Sequence, residues 1–377
     1  MQVRRGVFFG ALFMIMVSVQ PAWIQDAAWA QDADPALDVA YVEVYMMYTP
    51  SDAPEGMTRL FFIDSVTGDM TAADVRGERF SVVGSYVIFV DPDSEIIYRV
   101  WPDGRVEQHP FIQPAPNTQR VDWVVSPDGE WIAWMLTNQV EGGMLQSTTT
   151  LARPDGTAPR VILTDNPDAF LHTVPIALTD DWTFFYDRQP QGVGAYFFYP
   201  QYAAVHRLEA GEEAPEPELL PFEPNCFCGA GISSNGEFFA RLEKVSDSGG
   251  YDARLWNLPA DVDDFAPTIS PNYEAAGAVL VADDGSKMVY SLANDLAIDS
   301  AGTGRERYML ALFDTATGEQ HPLVANPLLI PLLPLAWTED GSGVLLYNPR
   351  QDGTWKLDFA TGEVRQVAGA TFVGILR

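Results

Sequence analysis

Lysine is nearly absent from this chain: Lys244, Lys287 and Lys356 are the only three in 377 residues. Lysine and arginine together number 22 against 52 carboxylates, a formal net charge of -30. A nucleic-acid partner is excluded on that balance, because a duplex is gripped by cations that neutralise phosphates. An anionic membrane surface is excluded on the same ground. Long apolar runs are also missing. The longest, Val7–Val19, has 13 residues, short of the roughly 20 that span a bilayer as a helix. Histidine (four) and cysteine (two) are too sparse to offer an obvious metal set. What is plentiful is apolar surface: 47% hydrophobic residues, 12% aromatic and only 20% charged, ample for a packed core.

The short apolar run has a use at the start of the chain. Arg4-Arg5 precedes it and Ala28-Trp29-Ala30 follows, the small-x-small pattern that signal peptidase cuts. Residues 1–30 therefore read as a signal peptide cleaved after Ala30, with an uncleaved N-terminal anchor as the alternative. No cysteine lies near the cleavage point to carry a lipid. Residues 31–377 read as one domain that works outside the cytoplasm, secreted or periplasmic, with no transmembrane segment after cleavage. Excess acid keeps such a chain soluble by self-repulsion, which salt screens.

Tight polar turns punctuate that domain: Ser126-Pro127-Asp128-Gly129, Thr179-Asp180-Asp181-Trp182, Ser233-Ser234-Asn235-Gly236, Ala282-Asp283-Asp284-Gly285 and Thr338-Glu339-Asp340-Gly341. Their fourth residues are 53, 54, 49 and 56 positions apart. Each precedes a short apolar run such as Trp131–Leu136 or Met288–Leu292, which reads as a strand buried on both faces. A second series, Asp64–Gly68, Asp314–Gly318 and Asp358–Gly362, shares D-x-x-T-G, and Pro102-Asp103-Gly104 and Pro154-Asp155-Gly156 take the same place in other units. Asp and Gly make these hairpin turns. Four antiparallel strands about every 50 residues are a β-propeller blade, which buries both faces only against neighbours. The fold is all-β, a propeller of seven four-stranded blades. Six complete units span about residues 79–110, 120–164, 173–222, 226–268, 274–325 and 333–369. Val39–Val75 lacks an innermost strand, which Ala370–Leu376 supplies by pairing the two ends of the chain.

Ser126-Pro127-Asp128-Gly129, then Trp131-Ile132-Ala133-Trp134 and Leu151-Ala152-Arg153-Pro154-Asp155-Gly156, resemble the WD40-like propeller repeat of TolB-type proteins, met also in the propellers of prolyl oligopeptidase relatives. The resemblance covers most of residues 31–377 and implies fold rather than function. Two features depart from it. TolB carries a separate domain before its propeller, whereas the first strand here starts about ten residues past the cleavage point. No G-x-S-x-G nucleophile elbow exists for the hydrolase domain of the peptidases.

Function is expected on the face bearing the long middle loops, since variable loops on a rigid scaffold usually carry binding groups. Candidates for a small polar ligand, a glycan or a protein partner are Asp187, Arg188, Asn294, Asp295, Asn348 and Arg350 at strand ends. The aromatic loop adds Tyr196, Tyr199 and Tyr202, which either stack on a ligand or pack on the blade. His172, entering an innermost strand, is the one histidine placed to face the channel. His109 and His321 both stand in Gln-His-Pro and read as parts of the repeat, as does His206. Cys226 and Cys228 read as a local disulfide, with free thiols or a copper or zinc site as alternatives lacking a third ligand. No cofactor is expected. Calcium is considered at Asp91–Glu95 and Asp261–Asp264, neither of which has the D-x-[DN]-x-[DN]-G frame. The sequence thus supports a non-catalytic ligand-binding or protein-interaction scaffold. The alternative is a carbohydrate hydrolase or lyase using carboxylates at the channel mouth.

Overall fold

In four of the five repeated turns the first residue is a hydroxyl, in all five the third is Asp or Asn, and the structure shows why. This computed structural model describes residues 40–48, 50–190, 195–196, 199–210, 216–221, 228–245, 250–267, 273–298 and 304–377, and the side chains of all these except 195–196, 295–298 and 304–305. Ser126 Oγ accepts from Trp131 N at 3.0 Å and donates to Asp128 Oδ1 at 2.5 Å. Asp128 Oδ1 accepts in turn from Glu130 N at 2.8 Å. The same relay joins Thr338 Oγ1 to Gly343 N (2.9 Å) and Asp340 Oδ1 (2.7 Å), and Ser233 to Phe238 N (2.9 Å) and Asn235 Oδ1 (2.7 Å). Thr179 bonds Thr183 N and Asp181 likewise. Each turn so satisfies the backbone groups that the strands on either side leave over. Gly129, at φ +72°, closes one such turn where a Cβ would stand 3.1 Å from Gly84 N of the preceding blade.

These turns connect the inner pairs of strands in blades 3 to 7 of seven four-stranded antiparallel sheets. Blade 2 runs Glu78–Val83, Tyr86–Val90, Ile97–Val100, Val106–Gln108; blade 3 runs Thr118–Val125, Ile132–Gln139, Leu145–Ala152, Arg160–Thr164. Blade 4 is Leu171–Leu178, Thr183–Pro190, His206–Glu209, Glu218–Leu219, and blade 5 is Ala230–Ile232, Phe238–Lys244, Tyr251–Asn257, Val262–Ala266. Blade 6 is Ala275–Val281, Lys287–Ile298, Gly304–Asp314, Glu319–Pro322, and blade 7 is Leu333–Trp337, Gly343–Asn348, Gln351–Asp358, Val364–Ala368. Blade 1 joins both ends of the described chain. Its strands Val42–Met47, Thr58–Asp64 and Met70–Val75 are completed by Thr371–Leu376, which pairs Val42 with Leu376 and Met46 with Thr371. The expected closure is therefore present. In blade 6 the two middle strands run on past a register shift at Asn294/Ala297, so Asn294 lies within a strand rather than at its end.

The core is a set of seams between blades. Tyr86 and Ile88 of blade 2 pack with Trp123, Ile132 and Trp134 of blade 3. Ala240 and Leu255 of blade 5 pack with Met288, Tyr290 and Phe313 of blade 6. At the closing blade, Val44, Leu60, Phe62 and Leu376 bury against Val87, Phe89 and Val100 of blade 2. Tyr45 meets Phe372 edge-on, with ring centroids 5.4 Å apart. Among the described residues no helix is long and apolar enough to cross a membrane.

Ser126 is 3% exposed, so Ser126→Ala leaves the Trp131 amide without its hydroxyl acceptor. A loss of about 1–3 kcal/mol is expected, seen as a melting temperature lower by roughly 2–5 °C. Unchanged melting of that variant would show that the relay does not hold the turn.

Candidate functional site

The innermost strands surround a central channel and are irregular at mid-height. Register shifts fall between Glu78/Ser81, Thr118/Arg120, Pro175/Ala177, Gly277/Leu280 and Pro334/Ala336, and opposite Val44/Tyr45 in Thr371–Leu376. Bulges twist a strand and re-aim its side chains, and here they recur in six blades at the wall of the channel.

One end of the channel lies among the tight turns and holds a cavity of about 470 Å³. Its walls come from the innermost strands of blades 1 to 5: Val373 and Ile375, Val82, Trp123, Ile176 and Ile232. Trp123 is fixed there by its Nε1 donating to Ser81 Oγ at 3.0 Å. The rim is polar. Asp180 Oδ1 accepts from Asp128 N at 2.9 Å, joining the turns of blades 3 and 4. Burial and the facing Asp128 carboxylate raise the Asp180 pKa, while the Asp128 amide and Arg377 oppose the rise. Asp283 ties blades 5 and 6 in the same way, accepting from Ser234 N at 2.8 Å and Ser234 Oγ at 2.6 Å.

At the other end, among the longer loops, the residues singled out from sequence fall into two groups. Asp187 is fully buried in blade 4. Its carboxylate accepts from Arg188 N (2.7 Å), Gln189 Nε2 (2.9 Å), Ala203 N (2.7 Å) and Ala204 N (3.0 Å). Four donors occupy both oxygens, so Asp187 pins the chain as it returns to the blade from the aromatic loop. Arg188 lies beside Asp165 at 3.7 Å. His172 is 1% exposed, and neither ring nitrogen has an aligned hydrogen-bond partner. Burial, then the nearby Arg120, lowers its pKa, while Asp122, the Gln189 backbone and Asp165 oppose the fall.

The second group bridges blades 6 and 7. Asn348 is buried and its Oδ1 accepts from Arg350 N at 2.9 Å. Arg350 Nη1 meets Glu306 of blade 6 at 2.5 Å. Asn294 pairs in register with Arg307, and the side chain of Asp295 lies outside the described residues.

The aromatic loop does not stand free. Ala195–Tyr196 and Tyr199–Pro200 form a two-stranded hairpin, and from it the chain turns inward. Tyr199 is fully buried among Ala275, Ala293, Tyr308 and Leu333, so no ligand can stack on it; burial pushes its hydroxyl well above the usual range. Gly277 makes room, since a Cβ there would stand 2.5 Å from Tyr199 Cβ. Gln201 Nε2 reaches Ala276 O at 3.0 Å, and Tyr202 exchanges both backbone hydrogen bonds with Cys228. Tyr202 is half-buried, its pKa pushed up to about 12 by burial and then by Asp187. The side chain of Tyr196 lies outside the described residues. Cys228 is disulfide-bonded, and Cys226 lies outside the described residues.

Other polar clusters are accounted for locally. Asp91 Oδ1 accepts from Asp93 N (3.0 Å) and Ser94 N (2.8 Å), and Asp263 pairs with Arg254 at 2.9 Å. No group of three or more His, Cys, Asp or Glu able to hold a metal occurs among the described residues. Sequence reading passed over the cavity wall, because the turns beside it are alike from blade to blade. It also passed over Arg79 and Arg120. Their signal was an arginine within the first three residues of the innermost strand in two consecutive units.

Neither a family model nor a curated protein matches the sequence. Among solved structures, the chain is similar to a provisional 6-phosphogluconolactonase of Bacteroides fragilis, with TM-score 0.52 and 14% identity over 91% of this chain and 99% of that one. It is also similar to TolB from Acinetobacter baumannii, with TM-score 0.40 and 16% identity, covering 77% of this chain. It spans 63% of that TolB chain. At such identities the likeness concerns fold alone, and with the seven blades it defines a β-propeller protein.

His109 offers a test of how these histidines are held. It is fully buried, its Nδ1 accepting from Ile112 N at 3.1 Å and its Nε2 3.3 Å from Tyr86 Oη. Burial, then Arg99, lowers its pKa from 6.5 to about 3. Between those values the unfolded chain binds the proton and the folded chain does not. The stability that neutral His109 supplies is therefore complete above pH 6.5 and declines as pH falls toward 3. The stability difference between wild type and His109→Gln, measured by urea melts, is expected to shrink from pH 7.5 to 4.5; a constant difference would contradict this burial.

Proposed function

We propose that this protein is an exported, non-catalytic β-propeller that binds a ligand or an interaction partner through its channel. The cavity among the tight turns carries this reading. It is walled by rigid innermost strands of five blades and combines apolar side chains with a polar rim, the usual makeup of a ligand site. The face of longer loops contributes less open surface than its sequence suggests, because Tyr199, Asp187 and Asn348 are buried.

Ile375 is 36% exposed at the cavity wall, so Ile375→Trp fills the space without disturbing the core. The test is a melting screen of wild type and variant against oligosaccharides, short peptides and divalent ions. A shift of roughly 2 °C or more in wild type, absent in the variant, supports the reading. Equal shifts in both, or turnover of any compound, overturn it. For export, N-terminal sequencing of protein recovered outside the cytoplasm is expected to begin at Gln31. Recovery of intact residues 1–30 would contradict cleavage.

One observation favours the second reading, a carbohydrate hydrolase. Asp128 at the cavity and Asp180, which accepts from its amide, form a carboxyl pair, and burial raises Asp180, as suits a general acid. Hydrolysis of an oligosaccharide in the same screen, lost in Asp180→Asn, would establish it.

A further inference from the structure

The mouth of the channel on the loop side carries a charge arrangement that the proposed function does not use. Arg79 is the second residue of the innermost strand of blade 2 and Arg120 the third of that of blade 3. Both guanidinium groups converge on one carboxylate. Arg79 Nη2 reaches Asp122 Oδ1 at 2.7 Å, while Arg120 Nε and Nη2 meet Oδ2 and Oδ1 at 2.5 and 3.1 Å. Asp122 is buried, with a side-chain exposure of 5%, while Arg79 and Arg120 are 42% and 41% exposed. Two cations therefore share one anion in a protein whose net charge is -30. Exposed Glu78 is the weakest of the charges acting on Arg79.

The arginines are held in place. Arg79 has φ +58° at the bulge of its strand, a backbone strain that non-glycine residues adopt rarely and that clusters at functional sites. Its Nη1 donates to Val121 O at 2.5 Å, and its guanidinium lies 4.6 Å from the Trp123 ring centre. Arg120 keeps Nη1 without a partner among the described residues. A second, independent feature lies behind them. His172 of blade 4 is within the field of Arg120, Asp122 and Asp165, is 1% exposed, and its nearest backbone partner, Gln189, is not aligned for a full hydrogen bond to either ring nitrogen. Buried polar groups normally have partners.

We propose that Arg79 and Arg120, backed by His172, form a binding site for a small oxyanion, a carboxylate or phosphate group, at the loop-side mouth of the channel. A guanidinium N–H suits either group, and because Val121 O and Asp122 take Arg79 Nη1 and Nη2, and Asp122 takes Arg120 Nε and Nη2, Arg120 Nη1 is the donor left for a ligand. The bond to Asp122 fixes both forks before a ligand arrives, which lowers the ordering cost of binding. This site adjoins the proposed ligand cavity, since Arg79 lies against the Trp123 ring that walls it, but its ligand class and its Arg120 variants are distinct from the Ile375 test.

The test is titration of the full chain with inorganic phosphate and, separately, succinate, at ionic strength held constant with chloride. Calorimetry reads affinity, and the imidazole proton resonances of the four histidines read location. Saturable binding of either anion that moves the His172 resonance, and that weakens tenfold or more in Arg120→Gln, supports the site. The anion that binds identifies the chemistry. Because Arg79 also joins two blades, Arg120→Lys serves as the folding control: it keeps the charge, and is expected to melt as wild type does while losing severalfold in affinity with the fork. A response no greater than that to chloride, or full affinity retained in Arg120→Gln, overturns the proposal.

Discussion

A blade of four strands has two apolar faces and can bury neither alone. Every other feature of this protein follows from that constraint. Each hydrophobic cluster draws residues from adjacent blades, so the seams are the core. A row of such sheets would end in two bare faces, and curling it into a ring removes them only if the last blade is complete. Here the strand that completes it is the last of the chain, Thr371–Leu376, paired with Val42–Met47 near the start of the described residues. Closure thus places Leu376 in the same apolar cluster as Val44 and Phe89, residues 332 and 287 positions distant in sequence.

The acidity acquires a structural meaning in this ring. Many carboxylates that a sequence offers as ligands serve the backbone instead. Asp128 and Asp340 complete turn relays, Asp180 and Asp283 link turns of neighbouring blades, and Asp187 collects three backbone amides beneath the aromatic loop. The two ends of the channel are correspondingly unlike. The turn side is regular at its rim and open at its centre, while on the loop side the chain around Tyr199 packs inward onto blade 6.

The fold was legible because turn chemistry is local. A hydroxyl, an Asp and a glycine within four residues announce a hairpin wherever they occur, and their spacing set the blade count and even the closing strand. The site was far less legible, because it depends on which residues several blades bring together. Tyr199 reads as a candidate for stacking on a ligand, yet Gly277, 78 positions later, has the missing side chain that lets it bury. Asp187 looks like a polar strand end, and only the return of Ala203 and Ala204 shows its oxygens to be occupied. Arg79 and Arg120 looked unremarkable singly, since nothing in either segment reveals that they share Asp122.

Cooperative closure of the ring is the central claim, and amide hydrogen exchange under native conditions tests it most directly. The account predicts that the amides of Val42–Met47 and Thr371–Leu376 that bond each other exchange together, as slowly as those of Tyr86–Val90, through global unfolding alone. Fast exchange confined to Thr371–Leu376, with the other innermost strands still protected, would contradict it.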